Sequence, residues 1–409
     1  MKLKFNTYFN TPPLKFKAEI TISGSKSESN RLLILQQLVT GLVIENCSDS
    51  DDSQHLKKAL ASKKSLIDIG HAGTAMRFLT AYFSIQENRE VVLTGSKRMQ
   101  NRPIGILVNA LRDLGAEISY ENKEGYPPIR IKGKNVHKNM VQIEGNVSSQ
   151  YISALLLIAA SLPNGLEIEL LGEITSVPYI NMTLSLLNQL AIETSFVGSK
   201  IKVYPKKTSE KKTIIVESDW SSASYFYSIV ALSDIGSEIT LSSYNKSSLQ
   251  GDACLAEMYQ HFGVKTTFYA QQIILKKEVF IPSSFSQNLK DAPDIAQTIA
   301  VTCFGLGLSC DLSGLHTLKI KETDRLVALE KELTKLGAEI YVTNDSLHLK
   351  PRIKINKNCT IKTYKDHRMA MAFAPLAIKV PIEILEAEVV TKSYRTFWND
   401  LQQIGFEIN

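Results

Sequence analysis

Arginine is scarce in this chain, and its placement gives the first indication of chemistry. Of the 47 basic residues only 11 are Arg, and none falls between Arg130 and Arg325. Lysine therefore supplies the surface charge. The few guanidinium groups, planar and permanently charged, suit work that Lys cannot imitate, above all the two-pronged grip on carboxylate or phosphate. Several stand at helix entrances beside Gly and small hydroxyls. Gly24-Ser-Lys-Ser-Glu-Ser-Asn-Arg31 follows a strand expected over residues 18–22 and opens a helix expected over 30–38. Free backbone N–H groups, the positive end of a helix dipole and two cations would hold an anion there. A Ser-capped helix start with surface charges fits equally well. The spacing is not that of a nucleotide-hydrolysing P-loop.

Further constellations follow the same pattern. Gly70-His-Ala-Gly-Thr-Ala-Met-Arg77 is Gly-rich and runs into a helix, and Arg98-Met-Gln-Asn-Arg102 puts two of the Arg on the turn before a helix over 104–114. Ser148-Ser-Gln150 precedes an apolar helix over 151–160 and reads first as an N-cap. Asp291-Ala-Pro-Asp294 sets two carboxylates at a helix start. Capping accounts for one of them, but not for Asp294 inside the first turn beside Pro293. In Lys319-Ile-Lys-Glu-Thr-Asp-Arg325, Thr323 or Asp324 would cap a helix running from about Arg325 to Leu336. Lys321 and Glu322 are then left on the loop before it, and a solvated face is the ordinary alternative. Tyr364-Lys-Asp-His-Arg-Met-Ala-Met371 places Arg368 at another helix entrance, and Lys392 sits in a Thr-Lys-Ser turn.

The elements that must position these groups repeat. Helical stretches that end in Gly or Ala and pass into a strand have their pivots at Gly115, Ala191, Gly263, Gly337 and Gly405, with a degenerate sixth copy at residues 55–67. Gly is the usual left-handed residue that ends a helix. Units of roughly 70 residues are too long for a solenoid and fit two domains of three units each. Strand-like alternations at residues 167–170, 213–216 and 273–275 lie between them. The Lys-rich residues 202–212 precede the third–fourth boundary as a linker or a solvated hairpin.

Composition sets the outer bounds. At 409 residues the chain exceeds one ordinary core, since domains run to roughly 100–200 residues. With 44% hydrophobic and 22% charged residues, a packed interior is expected and disorder is not. The most apolar stretch, residues 152–162, falls short of the ~18 residues of a membrane helix, and residues 1–13 contain no apolar core of a signal sequence. A cytoplasmic chain that neither spans a membrane nor is exported is therefore expected. The five Cys include no CxxC pair and read as buried, reduced thiols. No His/Cys/carboxylate grouping has ligand spacing and no GxGxxG follows a strand, so neither metal nor cofactor is expected. The net charge of +6 suits small anionic substrates. The basic motifs lack the aromatic platforms of a nucleic-acid binder.

Taken in order, Gly24-Ser-Lys-Ser-Glu-Ser-Asn-Arg31, Ala72-Gly-Thr-Ala-Met-Arg77, Arg102-Pro-Ile-Gly105, Ser148-Ser-Gln150, Ser221-Ser-Ala-Ser-Tyr225, Gln250-Gly-Asp252, Lys321-Glu-Thr-Asp-Arg325 and Asp366-His-Arg-Met-Ala370 form a series. It resembles that of the 5-enolpyruvylshikimate-3-phosphate synthases, the 3-phosphoshikimate 1-carboxyvinyltransferases of the enolpyruvyl transferase family. The resemblance spans nearly the whole chain. It implies an α/β fold of two similar globular domains, each of three βαβαββ repeats, with the active site in the cleft between them. By similarity one domain comprises residues 1–25 and 217–409, and the other residues 26–216. A monomer is expected.

The implied reaction transfers the enolpyruvyl group of phosphoenolpyruvate to the 5-hydroxyl of shikimate 3-phosphate and releases phosphate, in the pathway to chorismate and the aromatic amino acids. Each substrate carries a phosphate of about −1.5 to −2 charges and a carboxylate, so cations must be dense around them. Charge-assisted hydrogen bonds of roughly 1.5–3 kcal/mol each would supply the binding. The resemblance assigns Lys26, Gly73, Arg102, Gln150, Arg325, Arg368 and Lys392 to phosphoenolpyruvate. It assigns Lys26, Ser27, Arg31, Ser148, Ser149, Gln150, Ser176, Tyr179, Asp294 and Lys321 to 3-phosphoshikimate. Asp294 is the expected general base, with Glu322 and Lys321 handling the methylene proton and the departing phosphate through a tetrahedral adduct.

Three departures from the family pattern stand out. His71 replaces a usual Asn and is expected to cap a helix. Phe78 replaces a frequent Pro and is expected to shift the helix carrying Gly73 and Thr74. Thr317 replaces a common Asn and keeps a hydroxyl donor. Because Gly73 lacks a methyl group, glyphosate is expected to compete with phosphoenolpyruvate at low concentration. The alternatives are a UDP-sugar enolpyruvyl transferase and an inactive anion-binding homologue. The first relies on a loop Cys, and none lies near residues 98–102. Against the second stand Asp294, Glu322 and the five phosphoenolpyruvate cations.

Overall fold

The computed structural model describes residues 1–5, 15–146, 148–206 and 211–409. Residues 6–13 of the N-terminal stretch read for an export signal, and residues 207–210 of the linker candidate 202–212, lie outside the described residues. The contacts divide into two units, Met1–Ser23 with Glu217–Asn409, and Gly24–Val216.

All five pivots hold left-handed backbone: Gly115 at φ +110°, Ala191 at +57°, Gly263 at +72°, Gly337 at +99° and Gly405 at +108°. Four are Gly, which takes this region freely, whereas Ala191 does so at roughly 1–2 kcal/mol. The turn lets each helix close and the next strand start at once. Gly105–Leu114, for example, ends as the Gly115 N–H returns to the carbonyls of Arg112 and Leu111, and Glu117–Tyr120 follows directly.

Each complete repeat makes one four-stranded sheet. In the first of these, Leu66–Asp68 pairs in parallel with Glu90–Thr94 across the Gly73–Ser84 helix, and Ile129–Lys132 and Glu117–Tyr120 add an antiparallel hairpin. A parallel pair needs such a helical crossover, while antiparallel strands need only a tight turn. The same plan recurs in the other four-stranded sheets, whose parallel pairs are Met140–Glu144 with Leu166–Leu171, Lys17–Ile20 with Glu238–Ser242, Phe285–Asn288 with Cys310–Ser313, and Cys359–Ile361 with Ile382–Ile384. Two of these sheets take a strand from the start of the chain. Lys17–Ile20 is one, and Lys2–Phe5 lies between Ile382–Ile384 and Phe406–Ile408.

The degenerate copy is short. Lys212–Ile215 pairs in parallel with Leu42–Glu45 alone. The Asp51–Ala61 helix ends at Ser62 in extended backbone rather than a left-handed turn, and the chain runs into Leu66–Asp68, the first strand of the next sheet. Without the pivot there is no hairpin.

The sheets alternate buried and exposed residues, as in Met140–Glu144 and Leu166–Leu171, so one face is wet. The central helices are covered on all sides. Every residue of Gly73–Ser84 is buried and the helix packs on Ser149–Ala159; in the other unit Trp220–Leu232 packs on Ala296–Leu306. Of the thiols, Cys303 and Cys310 are buried as expected, whereas Cys47, Cys254 and Cys359 are only partly covered. Among the described residues no helix is long and apolar enough to cross a membrane.

Several helix starts differ from the sequence reading. The helix expected over 30–38 begins at Lys26, because Ser25 Oγ accepts the Glu28 N–H at 3.4 Å. Lys26 and Ser27 thus stand in its first turn. Ser148 caps Ser149–Ala159 by accepting the Gln150 N–H at 3.4 Å. Of the two candidates for the Arg325–Lys335 helix it is Asp324 that caps, accepting from Val327 at 3.2 Å. No side chain caps the Pro293–Ile295 turn or the Ala296–Leu306 helix that continues it, so the Asp294 carboxylate is used elsewhere.

Candidate active site

In the unit containing Glu217–Asn409, helix starts and turns converge on Asp294. Its Oδ1 accepts from Arg325 Nη1 at 2.9 Å, its Oδ2 accepts from Arg368 Nη2 at 2.9 Å, and Lys321 Nζ stands 3.6 Å away. Arg325 is the hub. Only 2% exposed, it donates also to Glu322 Oε2 at 3.0 Å and, through Nε, to Asp366 Oδ2 at 2.7 Å. Lys392 pairs with the other oxygen of Glu322. Six of the residues singled out in the sequence, Asp294, Lys321, Glu322, Arg325, Arg368 and Lys392, therefore form one continuous ion-pair network.

This half is not the bare cationic surface that two anionic substrates would suggest. Four cations face four carboxylates: Asp294, Glu322, Asp366 and, behind Ser221, Asp252. Burial, against the nearby Asp294 charge, lowers the Lys321 ammonium below its ordinary range.

Three contributors escaped the sequence reading as functional groups. Asp366 is fully buried, fixes Arg325 and caps the Arg368 N–H at 2.8 Å. Ser221 Oγ accepts from Arg368 Nη2 at 3.2 Å and donates to Asp252. The one available signal was an acid two residues before a scarce Arg. Nothing local links Arg368 to Ser221, 147 residues away.

Burial, reinforced by the Asp294 charge, pushes the Asp252 carboxyl from 3.8 up to about 7. The folded chain then keeps a proton that the unfolded chain releases above its ordinary range. The stability from this group is complete below pH ~4 and is lost as pH rises through about 7. Asp252→Asn is expected to raise the melting temperature at pH 8 but to change it little at pH 4, as calorimetry at the two pH values would register. An equal shift at both would exclude a titrating Asp252.

The Gly24–Val216 unit carries a second set. Arg102 lies directly over Gly73: a Cβ built on Gly73 would stand 2.3 Å from Nη1 and 2.9 Å from Cζ. Arg102 leaves the Met99–Asn101 turn half-buried, while Arg98 at its other end is exposed. Arg77 fastens the turn by donating to Gly73 O at 3.1 Å and Pro103 O at 3.0 Å, and Tyr151 Oη donates to the same Pro103 carbonyl at 2.6 Å. Gln150 Nε2 reaches Thr74 Oγ1 at 3.1 Å, beside Gly73. Lys26 Nζ stands 3.4 Å from the buried Asp52.

Arg31 is more engaged than an open anion site requires. It donates to Thr183 Oγ1 at 2.8 Å, Ser27 O at 2.8 Å, Ser153 Oγ at 2.9 Å and Tyr179 O at 3.3 Å. Burial lowers it to about 10, so it remains charged at neutral pH. Its guanidinium carbon lies 5.6 Å from the Phe78 ring and 5.9 Å from the Tyr179 ring, within cation–π reach. Phe78 thus has a partner in this chain, inside a helix that runs unbroken from Gly73 to Ser84. Ser176 precedes the Val177–Gln189 helix in left-handed backbone at φ +55° and makes no capping bond, while its carbonyl accepts the Tyr179 N–H at 3.1 Å. Ser149 is buried at the mouth of its helix.

The expectation that His71 caps a helix is corrected. Ala72 occupies that place without a side-chain bond, and the exposed His71 ring pairs through Nδ1 with Ser96 Oγ at 2.9 Å. Thr317 Oγ1 is buried with no hydrogen-bond partner among the described residues, an expensive state for a hydroxyl unless a ligand relieves it.

Comparison with known proteins follows the same outline. A family model described as EPSP synthase (3-phosphoshikimate 1-carboxyvinyltransferase) matches residues 53–401. The chain is 46% identical over 405 residues to the 3-phosphoshikimate 1-carboxyvinyltransferase of Bacteroides fragilis (strain YCH46), covering 98% of each chain. It is 35% identical over 420 residues to that of Haemophilus influenzae (strain ATCC 51907 / DSM 11121 / KW20 / Rd), covering 94% of this chain and 96% of the other. Among solved structures it resembles EPSP synthase from Acinetobacter baumannii, with a TM-score of 0.78 at 20% identity over 100% and 99% of the two chains. It also resembles the enolpyruvyl transferase NikO from Streptomyces tendae, with a TM-score of 0.74 at 13% identity over 100% and 98%. At these identities the structural matches speak for the fold alone.

Proposed function

Since the chain belongs to the EPSP synthase family, we propose that it transfers the enolpyruvyl group of phosphoenolpyruvate to the 5-hydroxyl of shikimate 3-phosphate and releases phosphate. The observation that carries this reading is Arg325 bridging two carboxylates, Asp294 and Glu322, with Lys321, Arg368 and Lys392 around them. Two acids beside each other but differently partnered suit a reaction in which one proton leaves an alcohol and another is added to a carbon and later removed.

In this reading Asp294 takes the proton of the 5-hydroxyl as its oxygen bonds to C2 of the enolpyruvate. Glu322, backed by Lys392, delivers a proton to the C3 methylene, which gives a tetrahedral adduct. Glu322 then recovers a proton from C3 while the C2–O bond to phosphate breaks, and Lys321 assists the departing phosphate. Arg325, Arg368, Lys392, Lys26, Gly73, Arg102 and Gln150 bind the phosphoenolpyruvate anion. Ser27, Arg31, Ser148, Ser149, Ser176 and Tyr179 receive shikimate 3-phosphate, with Thr317 Oγ1 as a further donor. The two contact units correspond to the two domains of the family, and the protein works as a cytoplasmic monomer without metal or cofactor.

Phosphate release from purified protein tests the reading. Release is expected only with both phosphoenolpyruvate and shikimate 3-phosphate present. Release from phosphoenolpyruvate alone, or none with both, would refute it.

A further inference from the structure

The turn that delivers Asp366 and Arg368 has an unfavourable backbone, and a buried carboxylate outside the site grips it. Tyr364 and Lys365 are both left-handed, at φ +55° and +57°. Neither is Gly, and consecutive residues with side chains persist there only where their surroundings over-determine them. Glu332 does so. It is wholly buried on the Arg325–Lys335 helix. It accepts the Tyr364 phenol O–H at 2.6 Å and the Lys362 N–H at 3.0 Å, and Lys335 pairs with it.

The same helix holds the other end of the turn. Arg325 and Glu332 are seven residues apart, two turns along one face and about 10 Å along the axis. Arg325 binds Asp366 at 2.7 Å, and Asp366 caps Arg368 at 2.8 Å. One helix thus grips residues 362–366 at two points with the left-handed pair between them. If the Glu332 end is released, Tyr364 and Lys365 are free to relax, and Asp366 turns away from the Arg325 guanidinium and the Arg368 backbone N–H.

We propose that Glu332 and Tyr364 are positioning residues for phosphoenolpyruvate binding, clamping the left-handed turn that aims Asp366 and so sets the spacing of Arg325 and Arg368. This rests on the assignment of those two Arg to phosphoenolpyruvate. Burial, together with the Glu332 carboxylate, raises the Tyr364 phenol above its ordinary range, so it remains a donor throughout the working pH.

The test uses steady-state kinetics of the full chain. Tyr364→Phe, which removes one O–H from a half-buried ring, is expected to raise the KM for phosphoenolpyruvate at least fivefold while that for shikimate 3-phosphate stays within twofold. Adding Lys365→Gly, for which left-handed backbone carries no side-chain penalty, is expected to bring the phosphoenolpyruvate KM back to within twofold of the unsubstituted chain. A merely structural role for the phenol would not be rescued by a Gly next door. The proposal is overturned if Tyr364→Phe moves neither KM beyond twofold, if it raises both alike, or if the double variant is no better than the single one. Arg368→Lys in the same assay separates the two levels. If it raises the phosphoenolpyruvate KM while Tyr364→Phe does not, the clamp alone fails. If it too has no effect, the substrate assignment fails first.

Discussion

Replacing Asp294 by Asn is expected to lower turnover by about 10²–10⁴-fold, the usual contribution of a positioned general base, with the KM for either substrate rising less than about tenfold. The amide keeps the shape of the carboxylate, and its single oxygen still accepts from Arg325 or Arg368, which now stand 2.9 Å from separate carboxylate oxygens. It cannot take a proton from the attacking hydroxyl. Glu322→Gln should show the same split between turnover and affinity, because Lys392 and Arg325 keep a polar partner while the methylene proton loses its carrier. Single-turnover rates with both substrates saturating decide the matter. A rate within tenfold of the unsubstituted chain would leave Asp294 as a counter-ion for the cations and nothing more.

The second large effect concerns a methyl group. Gly73→Ala would place a carbon 2.3 Å from Arg102 Nη1, closer than any real contact, so the guanidinium must move. Arg77 and Tyr151 hold the backbone of that turn at Pro103 O, and the displacement therefore falls on the Arg102 side chain. Losing one charge-assisted contact of about 1.5–3 kcal/mol predicts a KM for phosphoenolpyruvate raised roughly 10- to 100-fold, with that for shikimate 3-phosphate little changed. Equal KM values for phosphoenolpyruvate in the two proteins would remove Arg102 from its binding.

What could be read in advance follows from physics. The pivots were visible because a helix that must turn left-handed nearly demands Gly, and even Ala191 betrayed itself by its place in the series. The cations stood out because Arg is rare here. Their partners did not. Arg325 with Asp366, Glu322 with Lys392 and Arg368 with Ser221 are joined across 41, 70 and 147 residues, and no local spacing encodes such pairs. The degenerate copy at residues 55–67 stayed legible because losing a hairpin leaves the preceding helix pattern intact. His71 stood next to a helix start, but the cap position fell on Ala72, one residue on. Arg31 looked like an open anion ligand because sequence cannot show that Thr183, Ser153 and two carbonyls already engage it.

The strand Lys2–Phe5 carries a consequence for synthesis. Lys2 and Asn409 exchange two backbone hydrogen bonds, at 2.7 and 3.0 Å, so residues 407 positions apart in sequence are neighbours. One sheet therefore stays incomplete until residues 406–408 have been made. The Gly24–Val216 unit, whose contacts lie within one continuous stretch, can assemble while the remainder is still emerging. The other unit must join segments some 400 residues apart, so its closure is expected to be the slower of the two, because non-local pairing slows folding. Joining the termini through a short linker and opening the chain at a surface loop would let that sheet form from contiguous sequence.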